Sequence, residues 1–185
     1  MFEHACRWYR SHLEQGGRPV SLAVNVSKAG LFQNDFVDYY TDIKAKYSIP
    51  DRVMELEFTE SILAADTELF AELVVNLNAR GFICSLDDFG SGYSSLNLLK
   101  NLPIDVLKID SLFFDEGPDR NKDMALVEGI IDMVKKFDIR TVAEGIESMD
   151  QVEYLKQIGC DYVQGYVFYR PMPQSDYEAL IIQGC

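Results

Sequence analysis

The chain has 185 residues, 48% of them hydrophobic and 25% charged, with a formal net charge of −13. That length is one domain's worth and enough to bury a core, and the composition is that of a globular protein rather than a disordered or fibrous one. Thirty acidic residues against 17 basic ones leave no basic stripe for a nucleic-acid polymer, so any phosphate-bearing ligand would be small and bridged by metal cations.

A helix over residues 2–15 precedes a repeating strand-then-helix alternation. Strands are predicted at 21–26, 53–58, 82–87, 105–109, 140–144 and 161–167, most of them short runs of Val, Ile, Leu and Phe, as in parallel strands covered on both faces. Helices are predicted at 34–47, 66–80, 92–100, 121–137, 149–158 and 175–182. Asp66-Thr67 opens one of them and Gly81 stops it; Ser148 opens another and Gly159 stops it. The alternation predicts an α/β fold with a parallel sheet and right-handed connections. No linker or composition shift divides it, so residues 1–185 read as a single domain.

The longest apolar stretches are strand-sized, well short of the roughly 20 residues of a membrane helix, and no signal peptide is visible at the start. Cys6, Cys84, Cys160 and Cys185 show no CxxC pairing and no histidine at zinc-binding spacing. They are expected to be free thiols in a reducing cytoplasm, although a longer parent chain could be membrane-tethered. His4 and His12 are expected at the surface.

The ends of the strands carry the functional signal. In order they deliver Asn25, Glu57 with Glu60, Asp87 with Asp88, Lys108 with Asp110, Glu144 with Glu147, and Gln164. In a TIM-like (β/α) barrel those ends share the face where active sites are built. A complete barrel takes about 250 residues, so six of eight units come to about 190, and the first strands are the ones expected to be missing. Carboxylates gathered this closely are costly unless cations neutralise them. Asn25, Glu57, Asp87 and Asp88 are hard oxygen donors that select Mg²⁺ or Mn²⁺ over zinc. The adjacent Asp87-Asp88 suits a two-metal site acting on a phosphodiester, and Lys108 could orient the attacking water or offset developing charge. The Gly-rich run 89–95 could present backbone N–H groups to a phosphate. Each residue also has an ordinary reading: Glu57 as a solvated strand end, Asp87-Asp88 as a helix N-cap, Lys108 paired with Asp105 or Asp110, and Gln164 satisfying backbone groups.

At these positions the chain resembles the EAL-domain family of cyclic-di-GMP phosphodiesterases. The matching motifs are Asn25-Val26-Ser27, Glu57-Phe58-Thr59-Glu60-Ser61, the run from Asp87 to Leu96, Lys108-Ile109-Asp110, Ala143-Glu144-Gly145-Ile146-Glu147 and Gln164-Gly165-Tyr166. The resemblance implies an incomplete TIM-like barrel of the EAL type and hydrolysis of cyclic di-GMP to linear pGpG. It makes Asn25, Glu57 and Asp87 ligands of a first metal, with Asp87 bridging to a second and Asp88 assisting there. It sets Lys108 by the attacking water, with Glu144 and Gln164 lining the metals and substrate. Glu60 would brace the loop after the acidic pair, a loop tied to metal occupancy and dimer coupling, and Glu147 would support a neighbouring ligand. It also admits GGDEF or sensor domains in a parent protein.

The departure is at the front, where the Glu-Ala-Leu signature strand is not found; Glu3 and Glu14 both fall in the leading helix. A metal carboxylate and a phosphate-binding arginine would go with that strand, so the 185-residue chain alone is expected to be weak or inactive while its parent is a competent enzyme. The alternative is a non-catalytic module, either a cyclic-di-GMP receptor or a dimerisation or regulatory fragment. The outer strands, 21–26 and 161–167, would be open sheet edges, which invite pairing or domain swapping. Light scattering at tens of micromolar is therefore expected to report a homodimer or larger oligomer rather than a monomer.

Overall fold

The computed structural model describes residues 1–31, 35–63, 66–91, 99–114 and 120–182. Within them lies one six-stranded, all-parallel sheet in the order β1-β2-β3-β4-β5-β6, flanked by helices on its outer face. The elements are α1 (Phe2–Glu14), β1 (Leu22–Asn25), α2 (Phe36–Lys46), β2 (Met54–Thr59), α3 (Glu60–Leu63) and α4 (Thr67–Ala79). They continue with β3 (Ile83–Phe89), β4 (Val106–Ile109), α5 (Arg120–Lys135), β5 (Arg140–Ala143), α6 (Met149–Gln157), β6 (Tyr162–Val163) and α7 (Gln174–Ile182). Neighbouring strands in sequence are neighbours in space, so the sheet curls as a half-barrel with β1 and β6 at its edges.

The strand patterns explain the two faces. In β2 the residues Met54, Leu56 and Phe58 are fully buried, and they alternate with Glu55, Glu57 and Thr59. Successive side chains point to opposite faces, so one face of the strand packs on the helices while the other carries carboxylates into the barrel. The helix-side layer is a continuous apolar core that includes Phe58, Phe70, Leu77, Leu86, Leu107, Ile131 and Leu155. Phe58 and Phe70 meet edge to face with ring centroids 5.2 Å apart.

Both predicted helix boundaries occur. Asp66 Oδ1 accepts from the Leu69 N–H at 3.0 Å to cap α4, and Ser148 forms a reciprocal capping box with Gln151 on α6. Gly81, at φ +80°, closes α4 by letting the Phe82 N–H reach the Leu77 carbonyl at 3.1 Å. Beneath the sheet, Asp105 ties three strands' entrances together: Oδ2 accepts from the Cys84 N–H at 2.8 Å while Oδ1 pairs with Arg52.

Several expectations need correction. The last strand, expected over 161–167, pairs only at Tyr162–Val163; beyond it the Ile146 N–H donates to Gln164 O and the Val167 N–H to Ile146 O, so the chain laces into a loop instead of extending the ladder. His12 is half-buried, stacked on Trp8 at 5.0 Å with Nε2 2.9 Å from Arg18 O. A Glu-Ala-Leu run does occur, at residues 178–180, but it lies on α7, where Glu178 accepts from Trp8 Nε1 at 2.6 Å and joins α7 to α1. The predicted helix at 92–100 lies mostly outside the described residues, as does Cys185; Cys6, Cys84 and Cys160 are free thiols. No helix among the described residues is long and apolar enough to cross a membrane.

Because Phe58 is wholly enclosed between sheet and helices, Phe58→Ala is expected to lower stability by about 3–5 kcal/mol, read as a fall in the urea midpoint with an unchanged slope.

Candidate active site

The strand tips meet at the C-terminal end of the half-barrel. Asn25 and Glu57 are register partners at the ends of β1 and β2, and Thr59 on β2 faces Asp87 on β3. The ladder between β3 and β4 is irregular here. Leu86 pairs with Leu107 and Phe89 with Ile109, so Asp87 and Asp88 together oppose the single residue Lys108. This is a β-bulge, and Asp88 within it takes a positive φ of +55°. In a regular strand two consecutive side chains diverge to opposite faces; the bulge instead lets both carboxylates serve the mouth. Oxygens of Asp87, Asp88 and Glu144 all lie within 4.8 Å of one another.

Glycine is needed just after the pair. Gly90 has φ +101°, and a Cβ there would sit 2.1 Å from the Phe113 ring. Its N–H donates to Glu60 Oε2 at 3.1 Å, which links α3 to the loop leaving β3.

At the centre, the Lys108 ammonium contacts three carboxylates on three other strand ends. Nζ lies 2.6 Å from Glu57 Oε1, 2.9 Å from Asp87 Oδ1 and 2.8 Å from Glu144 Oε1. Lys108 is only 6% exposed, Glu57 7% and Asp87 8%, so the readings of Glu57 as a solvated end and of Lys108 as a partner of Asp105 or Asp110 do not hold. Asp110 instead accepts from the Leu112 N–H at 2.8 Å. Burial opposes the charge of Lys108, but the hydrogen bonds its ammonium donates to Glu144 and Glu57 and the surrounding negative charge overcome it and raise the pKa. Burial raises the carboxyl of Glu144, against the pull of Lys108. Asp88 is raised by burial first, then by Asp87 and Asp110.

Four carboxylates (Glu57, Asp87, Asp88 and Glu144) therefore face one ammonium, a formal local charge of −3. Asp87 Oδ1 is buried, and its approach to Lys108 is a charge contact without hydrogen-bond angles. A buried anionic oxygen so placed, with hard donors around it, suits a divalent cation; Asp87, Asp88 and Glu144 are the residues that could hold one.

Asn25, the register partner of Glu57, stands beside the cluster and is exposed at the open edge. Other candidates lie outside it. Gln164 is exposed, its backbone N–H bonded to Ala143 O at 2.8 Å. Glu147 is exposed, its N–H donating to Gln151 Oε1 at 2.9 Å. The run from Gly92 to Leu96 falls outside the described residues. Sequence reasoning overlooked Glu55, which is half-buried beneath Glu57 with its carboxyl raised by burial and lowered by a hydrogen bond from Ser85. The alternation of Met54-Glu55-Leu56-Glu57 was the available signal.

A parallel half-barrel with its acidic groups gathered at the strand tips defines a TIM-type (β/α) barrel protein with a mouth suited to cations. The EAL domain profile matches residues 1–171, and the chain belongs to the EAL domain family. Over 181 residues it is 35% identical to the cyclic di-GMP phosphodiesterase NbdA of Pseudomonas aeruginosa, an alignment covering 98% of this chain and 23% of that protein. The crystal structure of the EAL domain of Mycobacterium smegmatis DcpA superposes with a TM-score of 0.91 at 33% identity, covering 98% of this chain and 82% of the other. The PaMucR phosphodiesterase, in its c-di-GMP complex, gives a TM-score of 0.87 at 35% identity over 95% of this chain and 71% of that one. The chain spans about a quarter of the length of the curated relatives it matches.

Because the Glu144 carboxyl is raised in the fold, its protonated form favours folding. That contribution is complete below the ordinary value of 4.5 and is lost as pH rises through the folded value. In chelator, stability of the unsubstituted chain relative to Glu144→Gln is expected to fall as pH rises above the ordinary value of 4.5, and a divalent cation is expected to flatten the difference; urea midpoints measured across a pH series check both.

Proposed function

We propose that this domain hydrolyses one phosphodiester bond of cyclic di-GMP to give linear pGpG, using Mg²⁺ or Mn²⁺ in a two-metal site. The observation that carries the reading is the convergence of Glu57, Asp87, Asp88, Glu144 and Lys108 from four neighbouring strands and their tips. Membership of the EAL family, with NbdA among its relatives and PaMucR solved with c-di-GMP, supports cyclic di-GMP as the substrate. Asn25, Glu57, Asp87 and Asp88 are the proposed metal ligands, with Glu144 lining the site close enough to share a cation with the two aspartates. Bound cations would neutralise the phosphodiester and acidify the attacking water.

The chain's own residues then divide the work. Lys108 keeps its proton because its pKa is raised, so it acts as a charge and hydrogen-bond donor to water or phosphate rather than as a base. The raised carboxyls of Glu144 and Asp88 are better suited to take up the proton released by the water. Water adds to phosphorus and the 3′ oxygen leaves with a proton, which gives the 5′-phosphorylated linear product. Gln164 on the β6 side and Glu147 support the substrate and neighbouring ligands, while Glu60 steadies the loop through Gly90.

The reaction is assigned to the barrel completed within a longer cytoplasmic parent, in which GGDEF or sensor domains and a homodimeric or swapped arrangement are expected. The open sheet between β1 and β6 favours a second reading for the 185-residue chain by itself, a binding or regulatory module with weak or no turnover. Incubating the parent and the isolated chain with cyclic di-GMP and Mn²⁺, then separating nucleotides, distinguishes the two. Asp87→Asn in the parent is expected to cut pGpG formation by about 10³-fold or more, roughly 4 kcal/mol of transition-state stabilisation. Undiminished turnover in that variant overturns the assignment.

A further inference from the structure

The position of Lys108 is unusual for a residue whose task is only to meet substrate. An ammonium has three N–H donors, and three carboxylates from three other strand ends already surround this one at 2.6, 2.9 and 2.8 Å. Those oxygens include Glu57 and Asp87, the most enclosed of the proposed metal ligands. Asp88 is exposed and has no ion pair with Lys108 among the described residues. Without a positive charge at this point, Glu57, Asp87 and Glu144 would stand together behind side chains that are 9, 11 and 17% exposed. Like charges at that separation and burial repel strongly.

We infer that Lys108 is a built-in counter-ion which substitutes for the first divalent cation. It keeps the metal-free site assembled and competes with metal for the oxygens of Glu57, Asp87 and Glu144. Loading a cation transfers those oxygens from the ammonium to the metal. The released Lys108 head then has free donors to offer water or phosphate, so metal occupancy converts it from a structural tie into a substrate-facing group. Asp88, outside the ion-pair set, is the carboxylate from which an arriving cation can begin the exchange. Lys108 is thus a positioning residue before metal binds. The inference rests on the divalent-cation reading above but not on the identity of the substrate.

The test is Mn²⁺ binding by calorimetry to the unsubstituted chain, Lys108→Met and Lys108→Gln, together with urea unfolding in chelator and in excess Mn²⁺. Both variants are expected to bind Mn²⁺ more than about tenfold tighter than the unsubstituted chain, since an opposing charge a few ångströms away has gone. Both are also expected to unfold at lower urea in chelator and to show a larger Mn²⁺-induced rise in midpoint. If Lys108→Met unfolds in chelator, recovery of its circular dichroism on adding Mn²⁺ supports the exchange. Equal or weaker Mn²⁺ affinity in both variants, unaltered metal-free stability, or no Mn²⁺ binding by any of the three overturns it. None of these readouts needs a nucleotide, so a chain that passes them while its parent forms no pGpG refutes the phosphodiesterase reading alone.

Discussion

The Lys108 ammonium is the point on which the upper end of the barrel depends. It rises from β4 and draws in Glu57 from β2, Asp87 from β3 and Glu144 from the end of β5. Backbone ladders fix the strands side by side, but they do not make four carboxylates tolerate one another in a partly dry mouth. That requires a central positive charge. The same contact sets the electrostatics: it holds Lys108 firmly protonated, while the carboxyls that burial affects more than the ammonium can offset, Glu144 and Asp88, are shifted upward.

Backbone geometry makes that arrangement reachable. The bulge at Asp87-Asp88 changes the twofold alternation of β3 where it is needed, and the left-handed Asp88 followed by Gly90 turns the chain out of the sheet. Below it the alternation is strict, and Leu56, Phe58, Leu86 and Leu107 seal the helix side. The apolar layer holds the sheet, and the charged layer is supported on it; each strand contributes to both.

Much of this was legible in the sequence because its signals are local. The strands are runs of β-formers, the stops at Gly81 and Gly159 follow from helix geometry, and Asp66 and Ser148 cap where capping chemistry says they should. Which residues touch was less legible. Along the chain the nearest acids to Lys108 are Asp105 and Asp110, yet its partners come from other strands, since parallel pairing places distant residues side by side. The adjacent Asp87-Asp88 reads as a shared metal site, but the bulge that lets two consecutive side chains serve one mouth is not visible in the sequence. The early end of β6 was hidden too, because 161–167 has the composition of a strand and only the competing bonds to Ile146 show that it turns away. The Glu-Ala-Leu run at 178–180 shows the converse: a tripeptide carries meaning only in the element that presents it, and here that element is a helix facing Trp8.

The brevity of β6 has a mechanical consequence. Through β2, β3 and β4 the sheet is stitched by long ladders, whereas β6 holds on by two register pairs and a few loop bonds. The rim is therefore stiff on one flank and compliant on the other. Whatever settles into this mouth is seated against a fixed wall by the charged strand tips, while the Gln164 side can adjust its fit without disturbing them.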